Sequence, residues 1–448
     1  MNDICVFAIK RGNIETRLDT HFYHPKYQNV VKKIRGLQCY TTIGSIVNFT
    51  KETTDFSEFE NGIFEYLEIS GIELGGNSYN TNIIEVSQAP SRAKMKTQKG
   101  DIVISTTRPH RGAIAEIQND NIIASTGFSI VREIAEIVNK KWLLYVLLSH
   151  IVLMQMMQRS SGGNYPAIIE DEIKKICIPL PNLSEQQLLA NFLEDSLNKR
   201  KKLLSSAIDI LDNLHSTVAN IFNLNGKKIN KICYAVKLKQ LDGVIDAKRY
   251  ATITNSNSEF KICDICKIVD EKINVSKLNN QVIDWIRIDD LANQPLDIEE
   301  IRTQPANEIE GSFYEVQKGD ILVARLGPTI LNQKIVIVRT IERKTIASAE
   351  FLVLRAKDGY NPEAIMAILK TSYYRDMMYS RARGSTPSRY RLNREDMLNL
   401  PFPDLREHQE CIAKNANDIR IKVKAMRNEA EQEWIKAKAQ FEKGLLGE

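Results

Sequence analysis

The sequence predicts an α+β fold: two homologous mixed α/β globules separated by two long helices that pair as an antiparallel coiled coil, with approximate two-fold symmetry. Three observations predict it. The chain repeats itself with a period near half its length; each copy reads as short β runs followed by a helix; each copy then ends in a heptad-patterned stretch. The boundaries that follow are a globule over residues 1–182, a helix over 183–224, a second globule over 225–403 and a terminal helix over 404–448.

The repeat is carried by six blocks in the same order. Lys99-Gly100-Asp101-Ile102-Val103 returns as Lys318-Gly319-Asp320-Ile321-Leu322, and Tyr66-Leu67-Glu68-Ile69 matches Trp285-Ile286-Arg287-Ile288 at the same shift. Ile122-Ile123-Ala124-Ser125 matches Thr345-Ile346-Ala347-Ser348. Ile178-Pro179-Leu180-Pro181-Asn182-Leu183 returns as Leu400-Pro401-Phe402-Pro403-Asp404-Leu405. Glu185 and Gln187 align with Glu407 and Gln409, and the opening Asp19–Tyr23 parallels Asp246–Tyr250.

Within each copy, Lys-Gly-Asp before an Ile/Val run is a turn entering a strand. Strands are expected at 101–105, 112–117, 121–124 and 128–132, and again at 320–325, 333–338, 344–348 and 351–354. Helices follow at 140–158 and 362–379, with Pro362 suited to the first helical position. The Pro-x-Pro segments then stop helix and ladder alike, because proline fixes φ and lacks an N–H. Ser184 and Glu185 read as a helix cap and first-turn acid.

Beyond each Pro-x-Pro, apolar residues recur in steps of four and three. The first seam runs through Leu193, Leu197, Leu204, Leu211, Leu214 and Val218, interrupted at Arg200. The second runs through Ile412, Ile419, Val423 and Met426, then drifts to Trp434, Phe441 and Leu445. One such helix cannot bury its stripe alone, but two in one chain can bury each other.

Composition narrows the classes. The net charge of +5, from 61 basic and 56 acidic residues, permits nucleic-acid binding without compelling it. No apolar run approaches the roughly 20 residues that span a bilayer, and no signal core opens the chain, so a cytoplasmic protein without membrane contact is expected. Seven cysteines argue against a complete disulfide framework, and the lone Cys263/Cys266 pair lacks the second pair that zinc needs. No Asn/Asp-Pro-Pro-aromatic element, phosphate-binding loop or carboxylate cluster stands out, so no catalysis, metal or cofactor is expected in this chain.

The duplicated Lys-Gly-Asp-Ile blocks, Gly384-Ser385-Thr386-Pro387-Ser388, and the segment Ile178–Gln187 leading into a heptad helix together cover nearly the whole chain. In this the chain resembles the specificity subunits of Type I restriction–modification systems. The resemblance implies two target-recognition domains, each reading one half of a bipartite site in double-stranded DNA, with the helices setting the spacer. It also implies partners: two DNA adenine methyltransferase subunits using S-adenosylmethionine and, in systems that cut DNA, motor–nuclease subunits using ATP and Mg. The seam residues are then also the partner-docking element. The first half departs from the pattern, carrying Ser161-Gly162-Gly163-Asn164-Tyr165-Pro166 where the second has Gly-Ser-Thr-Pro.

Reading DNA needs phosphate contacts that position and base-edge contacts that discriminate, arginine on guanine being the commonest of the latter. Donors concentrate at Arg108, His110 and Arg111, with Arg159 and Asn164 farther on. The second-half counterparts are Arg325 and Lys334, then Arg381, Arg383, Ser385, Thr386, Arg389 and Arg391. The plainer reading of each cluster is a solvated loop or an ion pair, such as Arg108 or Arg111 with Glu116. Tyr165 and Tyr390 read as hinge packing, and Asp19 as a local cap. For the whole chain, the competing readings are a coiled-coil scaffold that never touches DNA and an enzyme with an unrecognised site.

Overall fold

In the computed structural model of the chain, Gly100 and Gly319 adopt φ of 95° and 91°, values a side chain would strain, and each turn delivers the backbone into a fully buried strand. The aspartate that follows is buried in both copies. Asp101 accepts from the Gln98 N–H and pairs with Arg132 at 2.9 Å; Asp320 accepts from the Gln317 N–H and pairs with Arg355 at 2.7 Å. These contacts hold both guanidiniums above their ordinary range.

The structure describes residues 7–224 without 10, 11, 13 and 16, then 226–228, 252–254 and 260–448 without 279. The second opening, Asp246–Tyr250, lies outside the described residues. Two compact units result, Met1–Lys201 with Ala430–Glu448, and Lys202–Glu429.

The first unit carries β1 (Tyr40–Thr42), β2 (Val47–Thr50), β3 (Ile63–Leu67), β4 (Asn82–Glu85), β5 (Ala93–Lys96), β6 (Ile102–Ser105), β7 (Ile114–Glu116), β8 (Ile122–Ser125), β9 (Phe128–Ile134) and β10 (Cys177–Pro179). Its sheets run β2-β9-β6-β7 and β4-β3-β8-β5, with β1-β10 as a ribbon. The second unit carries β11 (Gly226–Lys228), β12 (Thr252–Thr254), β13 (Cys266–Ile268), β14 (Lys272–Ile273), β15 (Val282–Ile286), β16 (Arg302–Pro305), β17 (Phe313–Glu315), β18 (Ile321–Ala324), β19 (Ile335–Ile337), β20 (Thr345–Ser348) and β21 (Phe351–Ala356). Its sheets run β13-β21-β18-β19 and β14-β17-β20-β15-β16. The plan is the same twice: β3 lies parallel to β8 as β15 lies parallel to β20.

The helices of the first unit begin with α1 (Pro25–Arg35), α2 (Lys140–Leu147), α3 (His150–Arg159) and α4 (Glu170–Lys174), and α5 (Leu183–Ile221) continues into the second. Then come α6 (Ile262–Ile265), α7 (Gly327–Leu331), α8 (Pro362–Leu369), α9 (Ser372–Arg381), α10 (Arg394–Leu398) and α11 (Gln409–Leu446). The single helices expected at 140–158 and 362–379 are each broken in two. Ser149 Oγ donates to the Val146 carbonyl at 2.5 Å, and Thr371 Oγ1 to the Ile368 carbonyl at 2.8 Å; these hydroxyls compete with the helical ladder at the break.

Asn182, not Ser184, caps α5, its Oδ1 accepting from the Glu185 N–H at 3.0 Å. The helix ends at Ile221 because Asn223 turns left-handed and the Leu224 N–H bonds back to the Ala219 carbonyl. The repeat also shifts by one residue here. Gln186, rather than Gln187, accepts from the Asn139 N–H as Gln409 does from the Asn361 N–H.

In the first unit, Leu193 and Leu197 of α5 and Trp434, Phe441 and Leu445 of α11 are buried in one core with Trp142 and Val152. The two helices run antiparallel there: Arg200 pairs with Glu431 at 2.8 Å, while Gly444 approaches Leu189. In the second unit, Leu214, Val218 and Ile412 join the main core, and Leu211 packs with Val423. Leu204, Ile419 and Met426 are half-buried. Arg200, the break in the first seam, is satisfied by Glu431 and by Glu73 at 3.0 Å.

Lys370 is fully buried in the second unit, and burial, reinforced by Arg339 and Arg427 against Asp297 and Glu363, pushes it down to about 7. Above that pH the folded unit holds fewer protons than the unfolded chain, whose lysines titrate near ~10.4. Stability therefore rises with pH between these limits. Lys370→Met is expected to abolish that rise, checked by urea unfolding at stepped pH; an unchanged slope would refute it.

Candidate nucleic-acid interface

In the first unit, the chain leaving β6 meets the chain leaving α3. Thr107 bridges Ala167, the Arg108 N–H donates to the Pro166 carbonyl at 2.7 Å, and Ser161 pairs with Ala167 to clip the loop between. Arg108 is held at φ 48°, a left-handed conformation costing a non-glycine residue about 1–2 kcal/mol. Its guanidinium lies 4.3 Å from the ring centroid of Tyr165, an exposed aromatic. Pro109–Arg111 forms a short 3-10 turn that presents His110 and Arg111 to solvent. Partial desolvation, then the Arg111 and Arg108 charges, hold His110 below the usual imidazole range. A cleft of about 680 Å³ opens beside these residues, lined also by Tyr66, Glu68 and Arg92.

The second unit repeats this junction. Leu326 and Arg383 both bridge Arg391, and the Gly327 N–H donates to the Tyr390 carbonyl at 2.8 Å. A side chain at Gly384 would collide with the Arg389 carbonyl, so glycine is required for the turn. Ser385, Thr386 and Arg389 project from this loop into solvent. Tyr390 packs against Tyr379 with ring centroids 6.2 Å apart.

The candidate residues thus assemble, but not uniformly. Arg108, His110, Arg111 and Asn164 share one surface of the first unit; Arg325, Arg383, Ser385, Thr386, Arg389 and Arg391 share one of the second. Arg391 is engaged by Glu350 at 3.1 Å and Arg383 lies 3.7 Å from Asp396. Arg381 is drawn to the Asp396 and Asn399 carbonyls, and Lys334 to the Ile288 carbonyl at 3.0 Å.

Arg159 requires a correction. It is buried, pairs with Glu172 at 2.8 Å and lies against the Phe22 ring, so it braces the interior and faces no ligand. The seam residues Leu193, Leu197, Leu211, Leu214, Val218, Ile412 and Val423 are likewise buried by intrachain packing and are closed to a partner. The exposed apolar residues of α5 and α11 are others, among them Leu183, Leu188, Ile208, Ile221, Ile421 and Ile435. Glu116 does not pair with Arg108 or Arg111; it holds Lys140 at 2.9 Å. Asp19 caps the Phe22 N–H at 2.9 Å. Cys266 is buried and its thiol is pushed up to about 12, while Cys263 is half-buried.

Sequence reasoning missed Arg92 and Glu68. Both reach the first cleft from strand ends, Glu68 after β3 and Arg92 before β5, away from the donor-rich loops in sequence. The signal that could have found Glu68 is the matched block at 66–69 and 285–288, since residues beyond equivalent strands share a location; for Arg92 it is the basic run with Lys94 and Lys96.

Residues 40–208 and 255–428 each match the family described as the Type I restriction modification DNA specificity domain. Over 156 residues the chain is 27% identical to the specificity subunit of the Type I restriction enzyme HindI of Haemophilus influenzae, a stretch covering 34% of this chain and 33% of that one. The match therefore spans about a third of that relative. A chain from a structure of complex assembly and conformational transition in the type I R-M system aligns at 18% identity and TM-score 0.46, covering 91% of this chain and 97% of its own. The HsdS subunit of Thermoanaerobacter tengcongensis aligns at 18% identity and TM-score 0.36, covering 91% and 96%. Among the described residues no helix is long and apolar enough to cross a membrane. With two matches that together span about three quarters of its length, the chain belongs to the Type I restriction–modification DNA specificity family and carries that domain twice.

Proposed function

We propose that this chain is the DNA-reading subunit of a Type I restriction–modification complex, each unit reading one half of a bipartite double-stranded site. The observation that carries the reading is convergence. In each unit two donor-rich loops, distant in sequence, are joined by backbone hydrogen bonds into one surface. Such surfaces supply what duplex recognition needs, side-chain donors for base edges and backbone N–H groups for phosphates. Arg108, pre-positioned by a strained backbone and the Tyr165 ring, loses little freedom on binding.

On this reading the chain makes and breaks no bond itself. Methyl transfer belongs to two DNA adenine methyltransferase subunits carrying S-adenosylmethionine, and any cleavage to motor–nuclease subunits using ATP and Mg. The antiparallel seam sets the spacer, and the partners dock on the exposed face of α5 and α11, at positions such as Leu188 and Ile435. The setting is cytoplasmic.

The test is methylome sequencing of cells expressing this chain with its cognate methyltransferase. A new methylated motif of two short blocks around a fixed gap is expected. A stable complex that methylates nothing would sink the reading, as would duplex binding that does not weaken with salt.

A further inference from the structure

β3 and β15 end at the same place in their sheets. Tyr66 lies opposite Ile123 and Leu67 opposite Ala124, as Trp285 lies opposite Ile346 and Ile286 opposite Ala347. The next residue is Glu68 in the first unit and Arg287 in the second. One structural position therefore carries opposite charges in the two copies.

Glu68 lines the first cleft together with Arg92, Arg108 and Arg111. Among the described residues none of these guanidiniums forms an ion pair with it. Its carboxylate accepts one hydrogen bond, from Ser70 Oγ at 3.0 Å, and keeps acceptor capacity toward the cleft. A carboxylate facing a polyanion is unfavourable unless a groove donor meets it. The base-edge donor that suits a carboxylate is the cytosine N4 amino group. Arg287 is differently placed to act. Its guanidinium lies 5.2 Å from the Trp285 ring centroid and 3.0 Å from Asp289, and the fork matches guanine O6 and N7. Lys334, one of the donors the sequence singles out, reaches the carbonyl of Ile288, the residue next to Arg287 along the chain.

We propose that Glu68 and Arg287 are equivalent base readers of opposite kind, Glu68 accepting from a cytosine amino group and Arg287 donating to a guanine. The inference rests on the DNA-reading function above. It makes the bipartite site unsymmetrical at this position, because two copies of one scaffold present an acceptor in one half and a donor in the other.

The experiment uses the complex of this chain with its methyltransferase to select duplexes from a randomised pool, followed by titration of the selected sites. The wild-type complex is expected to enrich a fixed cytosine in one block and a fixed guanine in the other. Glu68→Ala should lose about tenfold or more of its preference at the cytosine alone. Glu68→Gln should gain adenine at that position, since its amide offers the paired donor and acceptor that adenine N6 and N7 require. Arg287→Ala should relax only the other block. Unchanged thermal unfolding of each variant separates these effects from misfolding. The assignment is overturned if both Glu68 variants bind every duplex more tightly with an unchanged motif, which would make the carboxylate a mere repeller of phosphates. A wild-type complex that enriches no sequence would instead overturn the DNA-reading function itself.

Discussion

Phe441→Ala is expected to destabilise the first unit by about 3–5 kcal/mol. The phenylalanine is 1% exposed and packs with Tyr145 of α2, ring centroids 6.4 Å apart, in the core that also holds Leu193 and Trp434. Truncation leaves a cavity that neither a helix held by neighbouring side chains nor the buried α2 can collapse to fill. Hydrogen exchange read by mass spectrometry localises the effect: residues 140–159 should exchange faster while residues 362–381 keep their protection. Uniform acceleration, or none, would contradict a core built jointly by α2, α5 and the end of α11.

The second large effect is expected at the repeated turn. Asp320→Ala removes a carboxylate that is 1% exposed and satisfies both the Gln317 N–H and the Arg355 guanidinium. What remains is a charge with no partner beside a buried turn, at about 3 kcal/mol, the low end for a broken buried pair because Arg355 keeps some solvent. Pairing the substitution with Arg355→Met should recover much of the loss, since the penalty comes chiefly from the orphaned charge. Urea unfolding of the single and double variants measures the difference. Additive losses in the double variant would mean that the aspartate acts through the turn alone.

The architecture was legible because duplication makes a weak signal into two concordant ones. Neither Lys-Gly-Asp block means much singly, yet both precede a strand that sits second from the edge of a four-stranded sheet. The heptad steps likewise predicted helices that prove to be continuous over Leu183–Ile221 and Gln409–Leu446. Arg159 was not legible. In sequence it sits among polar residues, and only its closeness to Glu172 and Phe22 shows it facing inward. The one-residue slip between Gln187 and Gln186 has the same origin. Alignment counts identities, whereas the structure selects the glutamine whose amide reaches the Asn139 N–H. Arg132 and Arg355 escaped because a partner across adjacent strands has no fixed spacing along the chain.

Residues Ala430–Glu448, more than two hundred positions beyond Lys201, belong to the first unit. During synthesis the first globule therefore emerges with a gap in its core, its α2 and α5 faces lacking Trp434, Phe441 and Leu445 until residues 430–448 follow. Domains that fold as they are made usually complete in N-to-C order. This one must wait, guarding an open apolar face while the entire second unit is translated, so the order of packing departs from the order of synthesis.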